Sequence, residues 1–440
     1  MLNAFIPALC LLVAPPVQGV SDATPQMVTI GAPGNAADTS SGLGAVALPF
    51  RMSTFEITNT EYVEFLNAVA QFDTNGLYST LMTSSDRGGI TRTGSEGNFV
   101  YAVKPDFDDK PVGSTSWYDA ARFCNWLHNG QPSGEQTAAT TETGAYDMSL
   151  AGGSIARLPG ALYYIPTHDE WYKAAYYDPF DPGADALGTT DYWLYPACSD
   201  LIPIKATADA AGDVTNPGVN VANSDKGADW NGENGNVTTV GGTTSAGPWG
   251  TFDMGGNVNE ITETPGTPIT GPPVLPTRRL RGGDFSNAEV LMSSPAPFSG
   301  SLNMLAEGAN VGFRIAALEP WYEFGVGLPG TTGTPTLSGT GLTVADEPVT
   351  VKLMNGLPGS VAVIFIGFSQ INVPFNGGTL IPAADIILTR KVKPTGNINF
   401  SFTWPDGFPP QSVVFWQFWV FDPAGPMGLS ATNGLQSTTP

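Results

Sequence analysis

The chain has 440 residues, with 40 carboxylates against 18 lysines and arginines, and is 41% hydrophobic and 10% aromatic. That length suits two or three domains, and the aromatic content excludes a disordered chain. A net charge of −22 makes nucleic acid a poor partner, because phosphate binding needs a basic face.

The same acidity fits an extracellular or salty setting, where carboxylates keep a surface soluble or hold divalent cations. The first residues, MLNAFIPALCLLVAPPVQG, hold an apolar run from Ala4 to Val13 and then small residues to Gly19. They predict a signal peptide over 1–19, although no Lys or Arg precedes the run, and hence a secreted, periplasmic or cell-surface protein. The run is short for a membrane span, and no other segment reaches spanning length, so no transmembrane segment is expected. Beyond it remain Cys124 and Cys198, whose pairing the sequence leaves open.

An apparent strand runs around Ala45 to Ile57. The spacing of Tyr62, Phe65, Leu66 and Val69 then predicts a helix from Asn59 to about Gln71, capped by Asn59 or Thr60. A second helix is expected over Ser114–Leu127, with Trp117, Ala120, Ala121, Cys124 and Leu127 on one face and Thr115 or Ser116 as cap. A third runs from about Asp169 to Tyr176. From Asp178 to Gly250 the chain is mostly Gly, Asn, Asp, Thr and Pro, and such long connections carry function or are clamped by ligands.

Residues 319–334, EPWYEFGVGLPGTTGT, read as a linker into a separate all-β domain over 335–440. Within it Ile398, Phe400, Phe402 and Trp404 alternate with polar residues, the period-2 mark of a half-exposed strand. Val361–Phe368 and Val413–Phe421 are continuous apolar runs, as in central strands. The composition resembles the small terminal β-sandwich modules of secreted bacterial proteins and suggests a structural or carbohydrate-binding role.

Five blocks recur in a familiar order: FEITNTEYVEFLN at Phe55, PVGSTSWYDAARFCNWL at Pro111, YIPTHDEWYKAAYY at Tyr164, GTFDMGGNVNEITET at Gly250, and RLRGGDF at Arg279 with GFRIA at Gly312. Through them the stretch 27–318 resembles the formylglycine-generating-enzyme, or sulfatase-modifying-factor, family. The resemblance implies an irregular α+β, C-type-lectin-like domain followed here by the small all-β sandwich. Trp117, Trp126 and Trp171 then fall where the family buries aromatics. Gly282 and Gly283 suggest positive φ. Arg314 suggests a buried cation bonding loop carbonyls.

The family's calcium loop maps onto Asp253 and Glu260 as side-chain ligands, with Gly256 and Val258 supplying carbonyls. A hard cation wants such an oxygen cage. A second family site would use Asn223, Ser224 and Asn231. The plainer alternative is that Asp253 caps a turn and Glu260 pairs with an arginine.

The family's oxidases bind copper(I) with two cysteines after the RGG turn, where soft thiolates are required. Here Asn287 and Met292 stand near those positions, Asp284 replaces the usual Ser, and Asn259 and Ile261 replace two tryptophans. Copper and formylglycine chemistry are therefore not expected. With only His128 and His168 in the chain, a three-histidine centre is excluded. His168 reads as a solvated turn residue and His128 as a partner of its helix C-terminus. Three functions fit: a calcium-braced binding module for a glycan or extracellular protein, an oxidative enzyme with a non-cysteine site, or a structural cell-surface component.

Overall fold

The structure, a computed structural model, describes residues 23–150, 152–180, 191–270, 274–295 and 300–440. The signal-peptide expectation for 1–19 lies outside them. The chain divides between Ala317 and Leu318 into two compact units. No helix among the described residues is long and apolar enough to cross a membrane.

The first unit mixes short helices with short strands. Its helices are α1 (Asn59–Val69), α2 (Thr80–Ser84), α3 (Trp117–His128) and α4 (His168–Tyr176). Three of them begin with a reciprocal capping box. Thr58 accepts from the Glu61 amide and Glu61 from the Thr58 amide; Ser116 and Asp119, and Thr167 and Glu170, repeat the exchange. Each box satisfies two amides that a helix start would otherwise leave unpaired. The expected cap of α1, Asn59 or Thr60, falls one or two residues late, because the box begins at Thr58.

The apolar stripe of α1 packs on α3 through aromatic rings. Phe65 lies 5.4 Å from Phe123 and 5.3 Å from Trp126, while Phe123 lies 5.5 Å from Phe313 of the GFRIA block. Trp117, Trp126 and Trp171 are all buried, as the sequence suggested.

Two four-stranded sheets frame the site. One joins Met27–Ile30, Phe50–Ser53, Ala316–Leu318 and Tyr163–Tyr164. The expected strand over Ala45–Ile57 is thus only four residues long. The other orders Gly300–Asn303, Thr277–Arg281, Asn259–Pro265 and Val311–Gly312. The parallel pairing of Val311–Gly312 with Asn259–Glu260 brings the GFRIA block against the end of the Asp253–Glu260 loop. Between Asp191 and Gly250 the described chain is almost all turns and bridges, as its composition suggested.

The second unit is built of strands. A sheet containing Trp321–Phe324, Gly434–Thr438, Val413–Phe421, Val361–Gly367 and Ile386–Lys391 shares a core with the sheet Thr336–Thr340, Pro348–Met354 and Ile398–Thr403. Leu337, Val351 and Ile398 from the smaller sheet join Ile364, Phe418 and Leu435 from the larger in one buried cluster. Ile398 and Trp404 are buried while Asn399, Ser401 and Thr403 are exposed, which is the expected alternation. One expectation needs correction. Part of the segment read as a linker is the strand Trp321–Phe324, hydrogen-bonded to Gly434–Thr438, with Trp321 in the core.

Candidate functional site

The loop Asp253–Glu260 is shaped by left-handed backbone at Asp253 (φ 53°), Gly256 (φ 89°) and Asn257 (φ 60°). At Gly256 a side chain is doubly excluded, since a Cβ there would lie 2.3 Å from the Asn223 carbonyl oxygen. That approach lets the Asn257 amide donate to the same carbonyl at 2.9 Å. The two sets of residues that the sequence assigned to separate cation sites therefore touch.

Glu260 is fully buried and both its oxygens are engaged. Arg314 forms a bidentate pair with it at 2.6 Å per bond, and the Trp171 indole donates at 2.7 Å. Arg314 also donates to the Ser53 and Phe252 carbonyls, at 3.1 and 2.9 Å, so it is the buried, carbonyl-bonding cation that was expected. Asp253 accepts the Gly241 amide at 2.5 Å and the Thr243 hydroxyl at 3.2 Å. Both side chains thus serve the plainer alternative, a turn cap and an ion pair. Gly256 and Val258 are buried between them.

Sequence reasoning missed a third carboxylate. Glu56, on the apolar stretch Phe55–Ile57, is 1% exposed; one oxygen accepts from the Asn257 side chain at 3.1 Å and the other, Oε2, has no hydrogen-bond partner. Burial, then the charge of Asp253, pushes Glu56 well above the usual carboxylate range, with Arg314 pulling it back. Asp253 is also raised, chiefly by burial. Three buried carboxylates therefore share one guanidinium. The only local hint was a glutamate flanked by two apolar residues.

Asn223 continues the network. Its amide nitrogen donates to the Asn236 carbonyl at 2.9 Å and to Asn257 Oδ1 at 3.1 Å, while its own Oδ1 is buried without a partner. Ser224 is buried too, its hydroxyl 3.1 Å from Glu289. Asn231 is different: it is exposed and donates to the Asp86 carbonyl at 2.6 Å. The buried Asn236, which donates to the same carbonyl, is the residue beside Asn223. Among the described residues no group of three or more His, Cys, Asp or Glu has metal-binding geometry, so an ion here would need amide and backbone oxygens beside any carboxylate.

The turn after Arg281 has positive φ at Gly282 (89°) and Gly283 (73°), as expected. Asp284 is buried there and accepts from the Asn259 and Asn310 side-chain amides and from Ser286. Two departures from the family pattern, Asp284 and Asn259, are therefore hydrogen-bonded to each other. Asn287 accepts the Asp284 amide at 3.1 Å, and its carbonyl accepts the Asp225 amide at 2.8 Å. Met292 is fully buried with Tyr195 and Ala222.

The histidines are held as well. His128 Nδ1 accepts the Leu162 amide at 3.1 Å. His168 corrects the expectation of a solvated turn residue: it is 6% exposed, and its Nε2 accepts from Arg281 Nε at 2.5 Å. Burial, reinforced by Arg281 and Arg279, pushes its pKa down to about 3. Cys124 is a buried free thiol, so it is not paired with Cys198.

The family profile described as "Sulfatase-modifying factor enzyme 1-like domain" matches residues 20–318. The chain belongs to this family. The sulfatase-modifying-factor domain thus spans about two thirds of the protein and ends where the first compact unit ends. Two solved structures are similar to it. "Crystal Structure of CarF" has 18% identity and a TM-score of 0.38, covering 68% of this chain and 100% of that one. "Structure of PvdO from Pseudomonas aeruginosa" has 16% identity and a TM-score of 0.35, covering 68% of this chain and 96% of that one. Among curated proteins no sequence matches.

Proposed function

We propose that the sulfatase-modifying-factor domain is an exported binding module for a glycan or an extracellular protein, braced by calcium and working without copper oxidase chemistry. The observation that carries this reading is the turn after Gly283. Asp284, Asn287 and Met292 are all committed to internal contacts there, and none offers the thiolate that copper(I) requires. The engaged histidines and the buried thiol supply no alternative acid, base or nucleophile at this turn.

Calcium fits the polar network beneath it. Two buried oxygens without partners, Glu56 Oε2 and Asn223 Oδ1, and an excess of carboxylates over guanidinium are what a hard cation would satisfy. Asp253, Glu260 and the Gly256 and Val258 carbonyls belong to the adjoining loop, and Asn223 and Ser224 to the facing one. Bound calcium would supply only fixed positive charge, tying these loops into one binding surface. The second unit, read as a β-sandwich, would extend that role.

The test is incubation of the purified protein with copper, oxygen and a cysteine peptide of the sulfatase motif, followed by mass spectrometry. An unchanged cysteine supports the proposal, and an aldehyde product overturns it.

A further inference from the structure

We propose a second binding site, wholly within the second unit, for a neutral saccharide. It is formed by the loop 405–411, which joins the strands Ile398–Thr403 and Val413–Phe421. Pro405, Pro409 and Pro410 fix its backbone, and positive φ at Gly407 (92°) and Gln411 (60°) turns it. The Ser412 and Thr439 hydroxyls both donate to the Pro409 carbonyl at 2.7 Å. A loop held this way is preorganised and loses little freedom when a ligand arrives.

Against this loop lies a hollow of about 420 Å³, walled by Phe368, Phe408 and Val413, with Asp406 and Ser412 at its polar side. The volume is within the range of about 300–1,000 Å³ typical of small-molecule sites. The Phe408 ring is 6.2 Å from Phe368 and 5.6 Å from Trp404, so three aromatics follow one another. Phe368 is 54% exposed. Trp404 lines an adjoining hollow that Asp406 and Phe408 share, and its buried indole N–H has no hydrogen-bond partner.

The site therefore offers an apolar ring face and an exposed carboxylate acceptor. A sugar ring uses both, presenting C–H bonds to the aromatics and hydroxyl donors to Asp406. A proline-rich peptide would leave the carboxylate without a donor. The unit carries seven carboxylates against four lysines and arginines, which disfavours polyanionic glycans. This inference does not depend on the reading of the first unit.

The full-length protein would be titrated calorimetrically with cellohexaose, xylohexaose, mannohexaose, laminarihexaose and chitohexaose, with a heparin hexasaccharide and decaproline as controls. At least one neutral oligosaccharide should bind. Phe408→Ala and Asp406→Asn should each weaken it roughly tenfold or more, about 1.4 kcal/mol. Phe421→Ala, an exposed ring at the far end of the Val413–Phe421 strand, should leave it unchanged. If Phe408→Ala lowers the melting temperature, Phe368→Ala takes its place. Absence of neutral-oligosaccharide binding, wild-type affinity in both hollow variants, or preference for heparin or decaproline would overturn the proposal.

Discussion

Replacing Arg314 with Met tests whether one buried cation holds the sulfatase-modifying-factor domain together. Methionine retains much of the volume and removes every donor. Glu260 would then be left at 0% exposure with only the Trp171 indole as partner, and the Ser53 and Phe252 carbonyls would each lose a bond. Glu56 and Asp253 would lose the same stabilising charge. Removing one member of a buried pair costs about 3–5 kcal/mol. Each stranded carbonyl adds roughly 1 kcal/mol, so a loss of about 5–7 kcal/mol is expected. At roughly 2–4 °C per kcal/mol, the melting temperature should fall by about 10–28 °C. Glu260→Gln should cost less, about 1–3 kcal/mol, because it keeps the shape and relieves the repulsion on Glu56 and Asp253. The assay is thermal unfolding by near-ultraviolet circular dichroism at pH 7. A loss below about 1 kcal/mol for Arg314→Met, or a milder effect than Glu260→Gln, would refute the reasoning.

His168, held neutral by burial and by Arg281, predicts an acid-sensitive fold. Its folded pKa, about 3, lies below the unfolded value, so the unfolded chain binds the extra proton and stability is lost as pH falls below about 6.5. At pH 5 the loss should be about 2 kcal/mol, and His168→Asn should remove that part of the dependence; equal pH profiles in denaturant titrations would contradict this. A fragment 318–440 should unfold at higher temperature than 335–440, because only the former contains Trp321 and its strand; equal stability would restore the linker reading. Copper(I) titrated against a competing chromogenic chelator should stay with the chelator, and tight retention by the protein would count against the thiol-free reading of Asn287 and Met292.

Helices α1, α3 and α4 were legible because period-3.6 spacing and capping residues are local signals. α2, only five residues long, has too few turns to show a period. What the sequence hid was long-range. Nothing near His168 announces Arg281, 113 positions away, and nothing in EPWYEF announces a partner at Gly434–Thr438. Motif alignment pointed to Asp253, Glu260, Asn223, Ser224 and Asn231, and could not show that Asn231 is exposed while the buried Asn236 is the one whose carbonyl accepts from Asn223. It also passed over Glu56, whose importance arises only when Asp253 and Arg314 fold beside it.

The most direct test of the calcium brace is the melting temperature of chelator-treated protein with and without added calcium, measured for wild type and for Asn223→Ala and Asp253→Ala. At a hundredfold excess over Kd, binding adds about 2.7 kcal/mol. The first unit of the wild type should therefore melt roughly 5–10 °C higher in calcium, and both variants should lose most of that difference. Identical wild-type melting in calcium and in chelator would contradict the account.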